Sequence, residues 1–149
     1  MEKQIFPYGF ELLESKRIFA FPSVNISIKK ENSKNEFSFL VLVDSGAEFS
    51  LFTRGDAELL EIDLQKGEKI NIGGVTGDRF VAFIHPIVLK IGEKNIKMDA
   101  AFSEHFGTPR VLGRSPLFSY FFIVFDHQKQ NTIFITRPNK IFEKQIYKK

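Results

Sequence analysis

Apolar and polar residues alternate with a period of two along much of this chain, which is the pattern of β-strands that bury one face. Residues 24–28 (Val-Asn-Ile-Ser-Ile) show the alternation cleanly, and the polar run 29–35 after them predicts a hairpin loop. Residues 37–43 are almost entirely apolar, which predicts a strand buried on both faces. We expect these two strands to pair antiparallel and to bring the next residue, Asp44, to the floor of a cleft.

The rest of the chain is predicted to form further short strands, at 50–52, 69–72, 79–84, 86–91, 96–102, 123–126 and 132–136. Two stretches carry helix signals instead. Thr53 can cap a helix over 53–60, and Ser115 can cap a helix that begins at Pro116 and ends near residue 121. Many short strands with one or two short helices indicate an all-β, barrel-like body.

A glycine-rich turn joins the predicted strands 69–72 and 79–84. Glycine relaxes the steric limits on the backbone, so a mobile β-hairpin is expected here. A phosphate-binding loop is disfavoured, because no helix follows the glycines and no Gly-Lys-Ser/Thr sequence is present. The residues of the turn are Gly73, Gly74, Val75, Thr76 and Gly77.

The composition fits one globular domain. The chain has 149 residues, 43% of them hydrophobic, which is enough for a sizeable core. It has 18 phenylalanines and no cysteine, so the core is expected to consist of rings and aliphatic side chains, and a thiol mechanism is excluded. The three histidines lack the paired spacing of metal ligands, and we expect neither a metal site nor a cofactor.

The net charge of +3 is concentrated at the C-terminus. Residues 137–149 carry five of the 21 basic side chains but one of the 18 acidic ones, so residues 1–136 are nearly neutral. We expect a single domain over 1–136, with 1–20 as an arm that packs on the body or on a partner subunit, and 137–149 as a basic tail. Nucleic-acid binding would depend on this tail alone, and we expect none.

No apolar run approaches the ~20 residues that span a bilayer. The N-terminal residues have no sustained apolar region and no small-residue cleavage site, as a signal peptide would. We therefore expect a cytoplasmic protein that does not contact a membrane.

Asp44 ends an apolar strand, where a carboxylate without a partner is costly. The sequence Asp44-Ser45-Gly46-Ala47 on its own could be an ordinary turn. A second block, Val111-Leu112-Gly113-Arg114, lies far downstream. With both blocks in this order, the chain resembles the retropepsin-like aspartic proteases, whose half-site is Asp-Thr/Ser-Gly-Ala followed by an apolar-apolar-Gly-Arg segment. The resemblance spans roughly residues 37–134.

The resemblance implies a closed-barrel-like acid-protease half with a flap hairpin at residues 73–77. Aspartic proteolysis needs two carboxylates that share a proton, and the chain has no second Asp-Ser/Thr-Gly. A two-fold homodimer is therefore implied, in which Asp44 of each subunit is the catalytic acid or base. Ser45 would hydrogen-bond across the dimer axis, and the carbonyl of Gly46 would accept a hydrogen bond from a substrate N–H. The subunits could meet through residues 131–136, through the N-terminal arm or through both.

The same resemblance predicts an ion pair between Glu48 and Arg114 that braces the active-site loop, with Ala47 and Gly113 as the small residues of this contact. The alternative is that both charged side chains simply point to solvent, where a pair would be worth under about 1 kcal/mol. An extended peptide would suit the groove. Its pockets are expected to be apolar and to include Val75, Thr108, Pro109 and Val111.

Two functions remain open from the sequence. The first is an aspartic endopeptidase that activates water between two Asp44 carboxylates. The alternative is a catalytically silent peptide-binding or dimerisation module on the same fold. The intact Asp44-Ser45-Gly46-Ala47 favours the endopeptidase, because a module without chemistry has little reason to bring two carboxylates together.

Overall fold

The structure is a computed structural model in which residues 2–74 and 76–137 are described. Val75 of the expected flap and residues 138–149 of the expected basic tail lie outside the described residues.

The described residues form mainly β-structure, as predicted. The helices are α1 (Arg54–Leu59) and α2 (Leu117–Tyr120), with a 3-10 turn at Leu64–Lys66. The strands are β1 (Lys3–Pro7), β2 (Gly9–Leu12), β3 (Ile18–Phe21), β4 (Ser23–Lys30), β5 (Glu36–Val43), β6 (Leu51–Phe52), β7 (Glu68–Gly73), β8 (Arg79–Ile91), β9 (Lys94–Ser103), β10 (Val111–Leu112), β11 (Phe121–Asp126) and β12 (Asn131–Thr136).

A closed barrel forms the centre of the molecule. Its strands follow the order β4-β5-β10-β6-β9-β8, and β8 pairs with β4 to close the ring, while β7 adds to the free edge of β8. Closure removes the exposed sheet edges of the ring and encloses a core of aliphatic and aromatic side chains. Among the core residues that are 0% exposed are Ile28, Phe52, Leu89, Phe102 and Leu112. The barrel expected from the sequence is confirmed.

The predicted strand over residues 37–43 is present, but the prediction that both its faces are buried was wrong. Along β5, Phe39, Val41 and Val43 are buried, whereas Leu40 between them is 49% exposed. A barrel strand has one face toward the core, and no second layer from residues 2–74 or 76–137 covers the outer face at Leu40. Leu42 is half-buried because it packs against a smaller cluster near the end of the strand.

Strand β8 is one continuous element of 13 residues, where the sequence predicted two strands on either side of His85. One edge of β8 pairs with β9 from Ala82 to Ile91. The other edge pairs with β7 as far as Ile84 and with β4 from Ile87. Pro86 lies in the gap between those two partners, so its missing N–H is accommodated without ending the strand.

The two helices follow the predictions to different degrees. The cap of α1 is confirmed: Thr53 Oγ1 accepts a hydrogen bond from the Asp56 N–H at 3.1 Å, and Asp56 Oδ2 accepts one from the Thr53 N–H at 3.0 Å. The predicted start of α2 was wrong. Pro116 precedes the helix rather than opening it, and no side chain of the described residues caps it. The helix covers Leu117–Tyr120.

Two smaller sheets accompany the barrel. Strands β1, β12 and β11 form a three-stranded sheet from the two ends of the described chain, and β2 pairs with β3 in a separate hairpin. Within the described ranges, no helix is long and apolar enough to cross a membrane.

Candidate active site

Asp44 is positioned by the strand that it follows and by a strand from far along the chain. β10 inserts between β5 and β6, with Leu112 opposite Val43. The Asp44 N–H donates to the carbonyl of Leu112 at 2.9 Å. The two sequence blocks that suggested a catalytic site are therefore adjacent, and β10 fixes the backbone at Asp44.

The loop after Asp44 turns tightly around its carboxylate. The Gly46 N–H donates to Asp44 Oδ1 at 2.9 Å, and the Ala47 N–H donates to the Asp44 carbonyl at 3.2 Å. A Cβ atom on Gly46 would lie 3.2 Å from the same Oδ1, so a larger residue would press on the carboxylate. Asp44 is half-buried, whereas Ser45 and Gly46 are exposed. The carboxylate is thus oriented by the backbone and remains accessible from outside.

The predicted ion pair between Glu48 and Arg114 is confirmed. Arg114 Nη2 lies 2.8 Å from Glu48 Oε2, and Arg114 Nη1 donates to the Ser45 carbonyl at 2.8 Å. The two side chains are 44% and 57% exposed, so solvent screens the pair. The pair therefore contributes little to stability. Its main effect is on the position of the loop, because the Arg114 guanidinium binds both the Ser45 carbonyl and the Glu48 carboxylate.

Backbone contacts hold the same loop against the residues after β10. The Arg114 N–H donates to the Ala47 carbonyl and the Ser115 N–H to the Glu48 carbonyl, each at 2.9 Å. Gly113 passes so close to this loop that a Cβ atom there would overlap the Phe49 carbonyl and lie 2.7 Å from the Glu48 carbonyl oxygen. Only glycine fits that approach without displacement of the backbone.

An open cleft of about 930 Å³ adjoins Asp44. It lies between the loop after Asp44 and the hairpin β7–β8, and much of its lining is apolar. The lining residues are Asp44, Gly46, Ala47, Glu48, Phe49, Leu51, Ile70, Asn71, Ile72, Gly73, Gly74, Phe80, Pro109, Val111 and Arg114. A cleft of this kind can accept an extended peptide.

Two of the predicted pocket residues, Pro109 and Val111, line this cleft. Thr108 is not among the residues that line the cleft. Its hydroxyl donates instead to Ser103 Oγ at 2.8 Å. Val75 lies outside the described residues. The predictions did not include Ile70, Ile72 and Phe80, although the alternation of Ile70 and Ile72 along β7 could have indicated an inward face.

The glycine-rich hairpin covers one side of the cleft. The turn is closed by hydrogen bonds from the Gly74 N–H to the Asp78 carbonyl and from the Gly77 N–H to the Gly74 carbonyl, at 3.0 and 3.1 Å. Gly77 has a φ of +85°, which favours glycine. Thr76 and Gly77 are exposed, whereas Ile72 and Phe80 lower on the hairpin are half-buried.

Among the residues that the structure describes, no group of three or more His, Asp or Glu side chains could hold a metal ion.

No protein-family model matches this chain, and no curated protein matches it in sequence. Solved structures do match. A protease of EIAV in complex with the inhibitor HBY-793 is 26% identical, with a TM-score of 0.51 over 66% of this chain and 86% of that one.

A retropepsin-like aspartic protease from Rickettsia conorii is 20% identical, with a TM-score of 0.61 over 89% of this chain and 98% of that one. The two matches cover 66% and 89% of this chain, far more than the two short sequence blocks. This chain therefore has the retropepsin-like fold of aspartic proteases.

Proposed function

We propose that this protein is an aspartic endopeptidase that acts as a two-fold homodimer. The observation that carries the proposal is the position of Asp44. Its carboxylate is oriented by the Gly46 N–H at 2.9 Å and lines an open cleft on a retropepsin-like fold. The two structural neighbours are described as proteases, which agrees with this function.

The dimer is inferred from chemistry. Peptide hydrolysis of this type needs two carboxylates a few Å apart that share one proton. The other Asp residues of the chain are not followed by Ser/Thr-Gly, so one chain supplies half of the site. A two-fold axis close to Asp44 would bring the second carboxylate into place. Ser45, exposed beside Asp44, would face its counterpart across the same axis.

The reaction follows from these positions. One Asp44 carboxylate removes a proton from a water molecule as the water oxygen attacks the scissile carbonyl carbon, and the protonated partner Asp44 donates its proton to the carbonyl oxygen. The tetrahedral intermediate then collapses: the carboxylate that gave up its proton takes one from a hydroxyl of the intermediate as the C=O bond re-forms, the C–N bond breaks, and the leaving nitrogen receives the proton that the other carboxyl took from water. The roles of the two carboxylates belong to the pair rather than to either subunit.

The substrate is inferred to be an extended peptide. The cleft is lined by residues of the hairpin β7–β8 and by Pro109 and Val111. The carbonyl of exposed Gly46 can accept a hydrogen bond from a substrate N–H, and the apolar walls favour apolar side chains next to the cleaved bond. No cofactor is part of this mechanism.

The test is cleavage of a denatured-protein or peptide library, with Asp44→Asn as the matched inactive variant, from about pH 3.5 to about pH 7.5. We expect cleavage at apolar junctions that disappears in Asp44→Asn. The rate should rise faster than linearly with enzyme concentration where the dimer is scarce. If a protein shown to be dimeric binds peptides but cleaves none, the silent peptide-binding module is the correct function.

A further inference from the structure

The hairpin β2–β3 has an apolar face that nothing else in the described part of the chain covers. Phe10 lies opposite Ala20 in its register, and Leu12 lies opposite Ile18. Directly opposed residues share one face of a sheet, so these side chains form a continuous apolar surface. Phe10 is 61% exposed, Leu12 70% and Ile18 72%. Exposed apolar faces that continue over several residues mark surfaces that bind another molecule.

The hairpin is also poorly supported by its own subunit. Within residues 2–74 and 76–137, neither of its strands pairs with any other strand. Its second face holds Phe19 stacked on Phe21, with ring centroids 6.4 Å apart, and the charged Glu11 opposite Phe19. An isolated two-stranded hairpin is marginally stable in water. A surface that covers the apolar face would therefore order the hairpin.

The base of the hairpin lies beside the catalytic loop. Pro22 directly follows β3, and its carbonyl accepts a hydrogen bond from the N–H of Val43, the residue before Asp44, at 2.9 Å. A Cβ atom on Gly9 would lie 2.7 Å from Ser23 Oγ, so β2 begins next to the residue that follows Pro22. The paired residues of each strand rise only about 13 Å, which keeps the apolar face within about 20 Å of Asp44.

We propose that the apolar face of β2–β3 binds the partner subunit, so that its occupant is a second copy of this chain. The inference rests on the homodimer of the proposed function. Because two Asp44 carboxylates must approach within a few Å, the surfaces around each Asp44 are opposed, and the hairpin starts at that surface. In a two-fold dimer, each hairpin contacts the other subunit, so every contact occurs twice and the apolar area removed from water doubles.

This contact would link subunit association to the assembly of the site. The hydrogen bond from Val43 to Pro22 connects the end of β5 directly to the hairpin. A hairpin that packs on the partner subunit would therefore stabilise the dimer. It would also fix the position of Val43, the residue before Asp44.

The test compares single charges placed on and off the apolar face of the full chain. Leu12→Asp and Ile18→Asp lie on the face, and Ser15→Asp adds the same charge in the exposed loop of the same hairpin. We expect each face variant to raise the dimer dissociation constant by about tenfold or more, and Ser15→Asp to change it by less than about twofold. Sedimentation equilibrium measures the constant, and far-UV circular dichroism verifies the fold.

A second measurement does not require a charged variant to fold. The chain has no cysteine, so Ile18→Cys and Ser15→Cys each introduce a unique thiol. The rate of maleimide labelling at Ile18→Cys should fall about fivefold as the protein passes from monomer to dimer, while that at Ser15→Cys stays constant.

The outcomes separate the two proposals. If the wild-type protein dimerises and Leu12→Asp dimerises equally tightly, the hairpin contact is overturned and the dimeric protease remains. The same holds if Ile18→Cys is labelled at one constant rate in the monomer and in the dimer. A wild-type protein that remains monomeric at all concentrations would overturn the dimer itself. Labelling of Ile18→Cys that slows on addition of peptide to the dimer, but not on dimerisation, would instead assign the face to substrate.

Discussion

Arg110 binds the carboxylate of Asp56 at two points: Nε lies 2.8 Å from Oδ2, and Nη2 lies 2.9 Å from Oδ1. Asp56 is 1% exposed and sits in the first turn of α1. The Arg110 carbonyl accepts a hydrogen bond from the Leu42 N–H at 3.1 Å. The pair therefore joins α1 to the segment that enters β10, next to the strand that ends at Asp44.

Loss of this guanidinium is expected to destabilise the fold. Arg110→Ala leaves the buried Asp56 without its cation and should lower the free energy of unfolding by about 2–3 kcal/mol. The value lies toward the lower end of the range for buried pairs, because the Arg110 side chain is 40% exposed and water can enter the vacated space. Urea unfolding followed by circular dichroism measures it.

Lys97→Ala is the matched control for Arg110→Ala. It removes a pair with Glu31 whose side chains are 79% and 41% exposed, and it should cost less than about 0.5 kcal/mol. Equal losses in the two variants would show that burial of Asp56 does not determine the strength of its pair.

The contribution of Arg110 to stability should not depend on pH between about pH 7 and about pH 10. The hydrogen bonds that Arg110 donates to Asp56, together with the charge of that carboxylate, raise the pKa of Arg110, although burial opposes the rise. A raised pKa gives stabilisation that is complete below the pKa of the unfolded chain and is lost only as the pH passes the still higher folded value. The stability difference between wild type and Arg110→Ala should therefore stay constant from about pH 7 to about pH 10. A difference that shrinks in this window would contradict the assignment.

Gly113 should tolerate no side chain. Gly113→Ala places a Cβ against the backbone of Phe49 and should lower the free energy of unfolding by about 1–3 kcal/mol, because rigid backbone atoms must move. Gly107→Ala is the control, since no atom of the described residues lies within 4 Å of its Cβ position. We expect it to be neutral or slightly stabilising. Thermal and urea unfolding of the two variants make the comparison, and equal stabilities would exclude the close approach.

The features that could be predicted from the sequence are those that depend on nearby residues or on a distinctive motif. The alternation of residues 24–28 predicted β4, and Thr53 predicted the cap of α1, because both patterns are local. The pair of Glu48 with Arg114 is a distant contact. It was predicted because Arg114 belongs to one of the two blocks that carry the family resemblance and Glu48 directly follows the other.

The features that were missed depend on what lies across the fold. The pair of Arg110 with Asp56 joins residues 54 positions apart that belong to no motif. Leu40 is exposed because no layer in the described part of the chain covers the outside of β5, and Pro86 is tolerated because β7 ends and β4 begins on either side of it. Local patterns contain none of this information.

Arg114 is expected to matter for activity more than for stability. Arg114→Ala removes contacts to both Glu48 and the Ser45 carbonyl, so the loop after Asp44 loses a positioning contact. We expect a loss of about 10- to 100-fold in kcat/KM, since small misplacements of catalytic groups are costly. The free energy of unfolding should fall by less than about 1 kcal/mol, because the pair is exposed.

Glu48→Gln separates the two contacts of Arg114. It removes the charge partner but leaves the hydrogen bond from Arg114 to the Ser45 carbonyl, and it should retain more activity than Arg114→Ala. Steady-state kinetics at enzyme concentrations that saturate the dimer measure both variants. If Arg114→Ala affected neither activity nor dimerisation, the bracing role of this residue would be wrong.

The turn of the β7–β8 hairpin should affect substrate binding rather than the chemical step. Gly77 adopts a φ of +85°, where alanine is disfavoured by about 1 kcal/mol. Gly77→Ala is therefore expected to distort the turn closed by its hydrogen bond to Gly74 and to raise KM several-fold. A hairpin that contacts the substrate equally in the ground and transition states changes KM and leaves kcat nearly constant.

Gly74→Ala is the control on the same turn. Gly74 lacks the positive φ of Gly77, and its nearest neighbour at a Cβ position is Thr76 Oγ1 at 3.9 Å, so alanine should fit. Michaelis–Menten analysis of wild type and both variants on one peptide separates kcat from KM. A fall in kcat at constant KM for Gly77→Ala would place the hairpin in the chemical step instead. Equal KM values for the two variants would show that the conformation at Gly77 does not control substrate binding.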